Sequence, residues 1–242
     1  MKIDILTLFP EFFYPLNSWS IIKRAIENDK LSIKYTDIRD FSLDKHNKVD
    51  DYPYGGGPGM LMQPGPIYRA INSCKSEDSL VIYMSPQGKV LDQSLANKLS
   101  KEKHLILLCG HYEGIDERII QNYVDMEISI GDYVLTGGEI PAMVLVDSVT
   151  RLLPGVLSTQ SSYEEDSHYD GLLEYPQYTR PYEFEGHKVP DILLSGNHKE
   201  IDKWRQYKSI ENTINKRPDL LENNENLTSE IIEIIKNIEK DQ

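Results

Sequence analysis

"HLILLCGHYEG", residues 104–114, is a run of strand length that ends in a loop opened and closed by glycine. From Leu105 to Cys109 the run is apolar without alternation, the pattern of a strand covered on both faces in a parallel sheet. The segments around it repeat the theme. Residues 3–9 read as a strand stopped by Pro10, and residues 18–28 carry Trp19, Ile22 and Ile26 at helical spacing. Residues 31–36 alternate again, 80–84 are a second apolar run, and 91–99 are a helix candidate. Residues 128–130 form a short third run and 140–153 a longer helical one. This order predicts an α/β domain on a mostly parallel sheet.

Residues 37–65 interrupt the alternation with Asp44, His46, Asp50, Asp51 and then Tyr54-Gly55-Gly56-Gly57-Pro58-Gly59. A long exposed loop is expected there, of the kind that is either functional or disordered. Residues 158–170, STQSSYEEDSHYD, are polar and lack apolar periodicity. They read as a linker between a domain of residues 1–157 and a small, mainly helical domain of residues 171–242. In the latter, residues 175–181 are extended. Asn197 caps a helix with Glu200 in capping-box position, and Ile201, Trp204 and Lys208 continue its spacing. Pro218 stops the next helix, and residues 227–240 form a final amphipathic helix with an acidic face. The chain carries no internal repeat and no low-complexity tract.

With 242 residues, 39% hydrophobic and 27% charged, the chain has enough apolar content for a core, and two domains fit its length. No run reaches the length needed to span a bilayer, and Met1-Lys2-Ile3-Asp4-Ile5 reads as a first strand, not a signal peptide. Cys74 and Cys109 form no C-x-x-C. Cys109 reads as a buried small hydrophobe, which fits a reducing cytoplasm. The six histidines show no H-E-x-x-H spacing, so no protein-bound zinc is expected and no metal ligand is assigned. A net charge of −13 argues against indiscriminate nucleic-acid binding. Residues 187–217 reverse the sign locally, with seven Lys/Arg against four Asp/Glu. On charge alone that is a solvated helix face.

Three loops follow the three apolar runs: residues 84–88, 110–114 and 131–141. In an open parallel sheet the carboxyl ends of the strands share one side, so the loops are expected to form one pocket. None has the G-x-x-x-x-G-K-[ST] pattern, and Thr7-Leu8-Phe9-Pro10 stands where a dinucleotide fold puts its glycines. The pocket should suit a nucleoside-like ligand held by main-chain groups, with adenine the natural candidate.

The set "SPQG" (85–88), "CGHYEGIDERI" (109–119), "SIGDYVLTGGEIPAMVLVDSV" (129–149), "GGGPGM" (55–60) and "YTRP…LLSGNH" (178–198) closely resembles bacterial tRNA (guanine-N1)-methyltransferases of the SPOUT superfamily. The resemblance runs from Phe9-Pro10 to Arg217-Pro218. It implies an α/β domain whose C-terminal part is threaded into a deep trefoil knot, a rare exception to unthreaded topology. It implies S-adenosylmethionine, bent and held by three loops. Tyr83, Met84, Ser85 and Pro86 belong to the first, and Gly110, Tyr112 and Gly114 to the second. Ile130, Gly131, Asp132, Tyr133, Val134, Leu135, Gly137, Gly138 and Pro141 belong to the third. The 130–135 turn would supply main-chain partners for adenine, and Gly137-Gly138 would let the backbone come close where a Cβ would intrude.

Guanine N1 carries a proton, so transfer needs a base and a cation for the charge developing on O6. The resemblance assigns Asp166 as base and Arg151 as cation, with Glu113 as third polar group. Without it, Asp166 is a solvated acid of a polar linker and Arg151 a charge at a helix C-terminus. Asp170, four residues on, is the rival base. The resemblance further implies a cytoplasmic homodimer with its active site at the subunit interface, Asp166 becoming ordered as tRNA binds. The target is the guanosine immediately 3′ of the anticodon, extruded from its loop. Lys199, Lys203, Arg205, Lys208, Lys216 and Arg217 would grip phosphates. Asp50, Pro58 and Gly59 would shape the guanine pocket, although Asp50 also fits a loop-capping role. Mg²⁺ is associated with transfer in the family, and no residue here is assigned to it. Two rival readings remain. One is a SPOUT methyltransferase for a ribose hydroxyl or another base, against which the Asp166–Arg151 pair counts. The other is a non-catalytic RNA-binding module, against which the intact cofactor loop counts.

Overall fold

The computed structural model describes residues 1–18, 20–157, 163, 165–222 and 227–241. The chain forms two compact units, Met1–Thr159 and Gln160–Gln242. The first is an α/β unit. Its five-stranded sheet has the order β2-β1-β6-β5-β7, where β1 is Lys2–Thr7, β2 Ser32–Asp37, β5 Ser79–Val90, β6 His104–Cys109 and β7 Met126–Ser129. Every pairing in it is parallel.

Strand β6 lies in the middle of this sheet, and all six of its residues are buried. Successive side chains of a strand point to opposite faces, and the two cores divide accordingly. Ile3, Ile5, Leu105, Leu107, Cys109, Ile82 and Met84 share one cluster. That face is covered by α1 (Ser20–Glu27), α3 (Gln93–Leu99) and α5 (Glu139–Thr150). Leu6, Leu8, Ile106, Leu108, Val81 and Tyr83 share the other. It is covered by α2 (Pro64–Cys74) and α4 (Glu117–Tyr123). Burial on both faces explains why β6 reads as a continuous apolar run.

Residues 37–65 are more ordered than a loop. Asp37 caps a short 3-10 turn, Ile38–Phe41, by accepting from Arg39 N at 2.8 Å. Asp50–Asp51 (β3) and Leu61–Met62 (β4) then pair as an antiparallel hairpin. Helix α2 follows at once. Its Pro64-Gly65-Pro66 start resembles loop sequence, yet proline is pre-organised for the first helical turn, and Pro66, Ile67, Ala70 and Ile71 are buried. Strand β5 also runs further than the apolar run 80–84. Met84 and Lys89 both register with Ile128, so residues 85–88 loop out of a ladder that resumes through Val90. Trp19 of the first helix candidate, and residues 158–162 and 164 of the expected linker, lie outside the described residues.

The second unit packs α6 (His198–Lys216), α7 (Asp219–Glu222) and α8 (Ser229–Asp241) around Leu172, Ile210 and Ile238. A short hairpin, Glu183–Phe184 with His187–Lys188, precedes them. Asn197 caps α6 by accepting from Glu200 N at 3.4 Å. The reciprocal half of the capping box is replaced: Ser195 Oγ takes the Asn197 N–H, and Glu200 pairs with Lys203. Helix α6 is one 19-residue element, since nothing before Pro218 breaks it. The described linker residues are held within this unit. Tyr175 Oη donates to Glu165 at 2.7 Å, and Glu174 N donates to Ser167 Oγ at 3.0 Å.

Candidate active site

Strands β6, β5 and β7 are neighbours, so the 85–88 loop of β5 meets the loops at the carboxyl ends of β6 and β7. Together they line a cleft of about 350 Å³, within the size class of small-molecule sites. Tyr83, Met84, Ser85 and Pro86 contribute from β5, and Gly110, Tyr112, Glu113 and Gly114 from the end of β6. Ile130, Tyr133, Val134, Leu135, Gly137, Gly138 and Pro141 contribute after β7. These residues were all expected at the site, and the fold brings them together. Gly131 and Asp132 were expected there too but do not line the cleft. Gly131 serves the turn itself. It sits at φ +148°, its N–H donates to Ser129 Oγ at 3.1 Å, and its carbonyl accepts from Tyr133 N at 2.9 Å.

The glycine pair stands where the backbone comes close and a Cβ would intrude. A Cβ at Gly138 would lie 2.7 Å from Cys109 Cα and 3.0 Å from Gly110 N. At Gly137 it would meet His111 Nε2 and Glu139 Oε2. What needs the space is the protein itself: the loop passes directly over the end of β6, where Gly138 N donates to Gly110 O at 3.0 Å.

Tyr83 forms part of the cleft wall. Burial, followed by the nearby charge of Glu127, pushes its phenol up to about 12, so it stays neutral at physiological pH. The hairpin β3–β4 stands beside the second loop. Glu113 N donates to Met60 O, Met62 N to Gly114 O, and a Cβ on Gly59 would strike the Glu113 side chain. Gly59 and its neighbour Pro58 thus lie near Glu113, on the same side as the cleft. Asp50 is part-buried in β3, and its carbonyl accepts from Gln63 Nε2 at 3.1 Å.

Other expected residues belong to other elements. Arg151 is the C-cap of α5, its N–H donating to the Asp147 carbonyl. Asp166 belongs to the second unit, where its N–H donates to Tyr163 O at 3.4 Å and its carbonyl accepts from Tyr169 N at 3.2 Å. Lys199 and Arg205 are on α6. The Arg205 guanidinium lies over the Tyr175 ring at 4.9 Å.

His111 lines the cleft, with the buried Glu139 behind it, 3.0 Å away; the sequence places both in the expected pocket loops but gives neither a role. Glu139 reads in sequence as a plain first-turn acid. Once buried, it accepts from Thr7 Oγ1, 132 positions away. Among the described residues no cluster of three or more His, Cys, Asp or Glu could hold a metal ion, and no helix is long and apolar enough to cross a membrane.

A parallel α/β sheet with a cofactor-sized cleft at three adjacent strand ends defines an α/β ligand-binding protein. The family model described as "tRNA (Guanine-1)-methyltransferase TrmD" matches residues 1–223, and the chain belongs to that family of enzymes. A tRNA (guanine-N(1)-)-methyltransferase of Ruminiclostridium cellulolyticum is 60% identical over 223 residues, covering 91% of this chain and 96% of its own. One from Dictyoglomus turgidum is 55% identical over 241 residues, covering 100% and 98%. One from Clostridium kluyveri is 58% identical over 237 residues, covering 98% and 96%.

Proposed function

We propose that this enzyme methylates N1 of the guanosine immediately 3′ of the anticodon in tRNA, using S-adenosylmethionine bound in the strand-end cleft. The observation that carries the reading is the cleft. It is cofactor-sized and lined by three loops, two of which carry glycines, so that main-chain groups there can meet the edge of an adenine. When bound, S-adenosylmethionine supplies an electrophilic methyl group. The protein's part is to make N1 a nucleophile. Asp166 takes the N1 proton, Arg151 holds the negative charge that develops on O6, and Glu113 completes the polar wall. Asp50, Pro58 and Gly59 shape the guanine side. Lys199, Arg205 and the other basic residues of 187–217 grip phosphates, which position the RNA without reading its sequence. The second unit, with the linker, is then the tRNA-binding domain.

The reading includes a trefoil knot. It is supported by two close passages of the chain. Leu91 N donates to Ser129 O at 2.8 Å as β5 runs on past its loop, and Gly138 lies against Cys109 and Gly110. It also includes a cytoplasmic homodimer, with Asp166 reaching the partner's cleft. In support, Phe12 and Tyr14 expose their rings, and the helix beside them, α5, exposes Ile140 and Val144. Exposed apolar groups on neighbouring elements are suited to an interface. Mg²⁺ belongs to the reading as a participant in transfer, with no ligand assigned.

Mixing two inactive variants tests base and dimer together. Asp166→Asn should bind S-adenosylmethionine but not transfer, and Gly138→Val should not bind it. Co-refolded, they should regain about a quarter of wild-type activity, since half the dimers then carry one intact site of two. No recovery from folded, mixed dimers would sink the shared site, and an active Asp166→Asn would sink the base.

A further inference from the structure

One buried carboxylate meets the cleft only through an intermediary. Glu139 is 4% exposed, and both its oxygens are committed. Oε1 accepts from Thr7 Oγ1 at 2.7 Å, and Oε2 lies 3.0 Å from His111 Nε2. Thr7 Oγ1 also accepts from Phe9 N at 2.9 Å, which leaves its hydroxyl proton for Glu139. The Phe9 ring packs on the imidazole with centroids 4.7 Å apart. Gly137 leaves the gap in which the pair sits, since a Cβ there would strike both partners. Two stretches distant in sequence, residues 7–9 and 137–139, thus converge on one histidine orientation. His111 lines the cleft, and Glu139 and Thr7 do not.

A carboxylate only accepts, so Nε2 of His111 must carry a hydrogen. In the neutral ring Nδ1 is then an acceptor. We propose that Glu139 is a positioning residue. It fixes the orientation and tautomer of His111, so that Nδ1 accepts a hydrogen bond from an O–H or N–H donor of the bound cofactor, a ribose hydroxyl or the ammonium group. The inference rests on the cleft being the cofactor site. It adds a contact that none of the glycine-bearing main chain supplies: a side-chain acceptor whose tautomer is set by a residue outside the cleft.

Two measurements test it. The ¹⁵N spectrum of the histidine rings at pH 8, with His111 assigned by its loss in His111→Asn, should show Nε2 protonated and Nδ1 bare. In Glu139→Gln that signature should be lost. A wild-type ring protonated at Nδ1 would overturn the proposal without any need for a folded variant. The second measurement is S-adenosylmethionine affinity by calorimetry. His111→Ala and Glu139→Gln should each lose on the order of tenfold, the worth of one hydrogen bond. The double variant should lose no more than either alone, because Glu139 acts through His111. Multiplied losses, or single variants that bind as wild type does, would overturn the proposal. A wild-type enzyme that fails to bind the cofactor would instead overturn the reading of the cleft.

Discussion

Gly138→Ala isolates the constraint that the fold places on the cleft. Gly138 has φ −80° and ψ −5°, a conformation any residue adopts. On conformational grounds alone, alanine should stabilise the protein by about 0.4–1 kcal/mol by narrowing the unfolded ensemble. The steric effect runs the other way. The new methyl would lie 2.7 Å from Cys109 Cα and 3.0 Å from Gly110 N, both main chain of the buried end of β6. No rotamer relieves that overlap. Overpacking of this kind costs about 1–3 kcal/mol, so the net effect is destabilisation, roughly 1–2 kcal/mol, or a Tm lower by about 2–8 °C at this chain length. The backbone must move apart where the third loop crosses the second, so cofactor affinity should fall along with Tm. Gly65→Ala is the control. Its Cβ would meet only the far end of Arg69, at 3.3 Å, so Tm should hold or rise slightly and affinity should match wild type. Thermal unfolding and calorimetric titration with S-adenosylmethionine read both quantities. A Gly138→Ala protein with unchanged Tm and affinity would refute the crossing as described.

Two further outcomes follow from buried groups. His104 Nε2 and Asp4 Oδ2 are 2.7 Å apart, with side chains 5% and 0% exposed. His104→Ala leaves that carboxylate with Lys2 alone, and urea unfolding should show a loss of about 3 kcal/mol; a loss below 1 kcal/mol would mean the pair is not buried. Tyr83 ionises at 10.0 when unfolded and about 12 when folded. Between those values the unfolded chain binds fewer protons than the folded one, so stability falls as pH rises, by up to about 2–3 kcal/mol at pH 12. Tyr83→Phe should remove that part of the slope in stability measured from pH 9 to 12, and an identical slope would contradict the burial of the phenol.

The sheet was legible because β6 is covered on both faces and its apolar run carries no competing signal. The three strand-end loops followed from that, since adjacent parallel strands leave their carboxyl ends together. Helix α2 was not legible as a helix, because Pro64-Gly65-Pro66 looks like a turn until Ile67, Ala70 and Ile71 are seen to share a buried face. That spacing was the signal available. Long-range pairing was out of reach altogether. Nothing local in Thr7, His111 or Glu139 says that they touch, and the space kept by Gly137 belongs to that contact. Gly131 shows the converse limit, because motif membership alone does not reveal that its N–H and carbonyl hold the turn after β7.

The central claim is methyl transfer to one guanosine, and methyl incorporation from labelled S-adenosylmethionine tests it most directly. The substrates are two tRNA transcripts that differ only in the nucleotide 3′ of the anticodon, G in one and A in the other, with Mg²⁺ present. Incorporation into the G transcript alone, recovered as 1-methylguanosine, is the expected result. Equal incorporation into both, or none into either by an enzyme that binds the cofactor, would contradict the account.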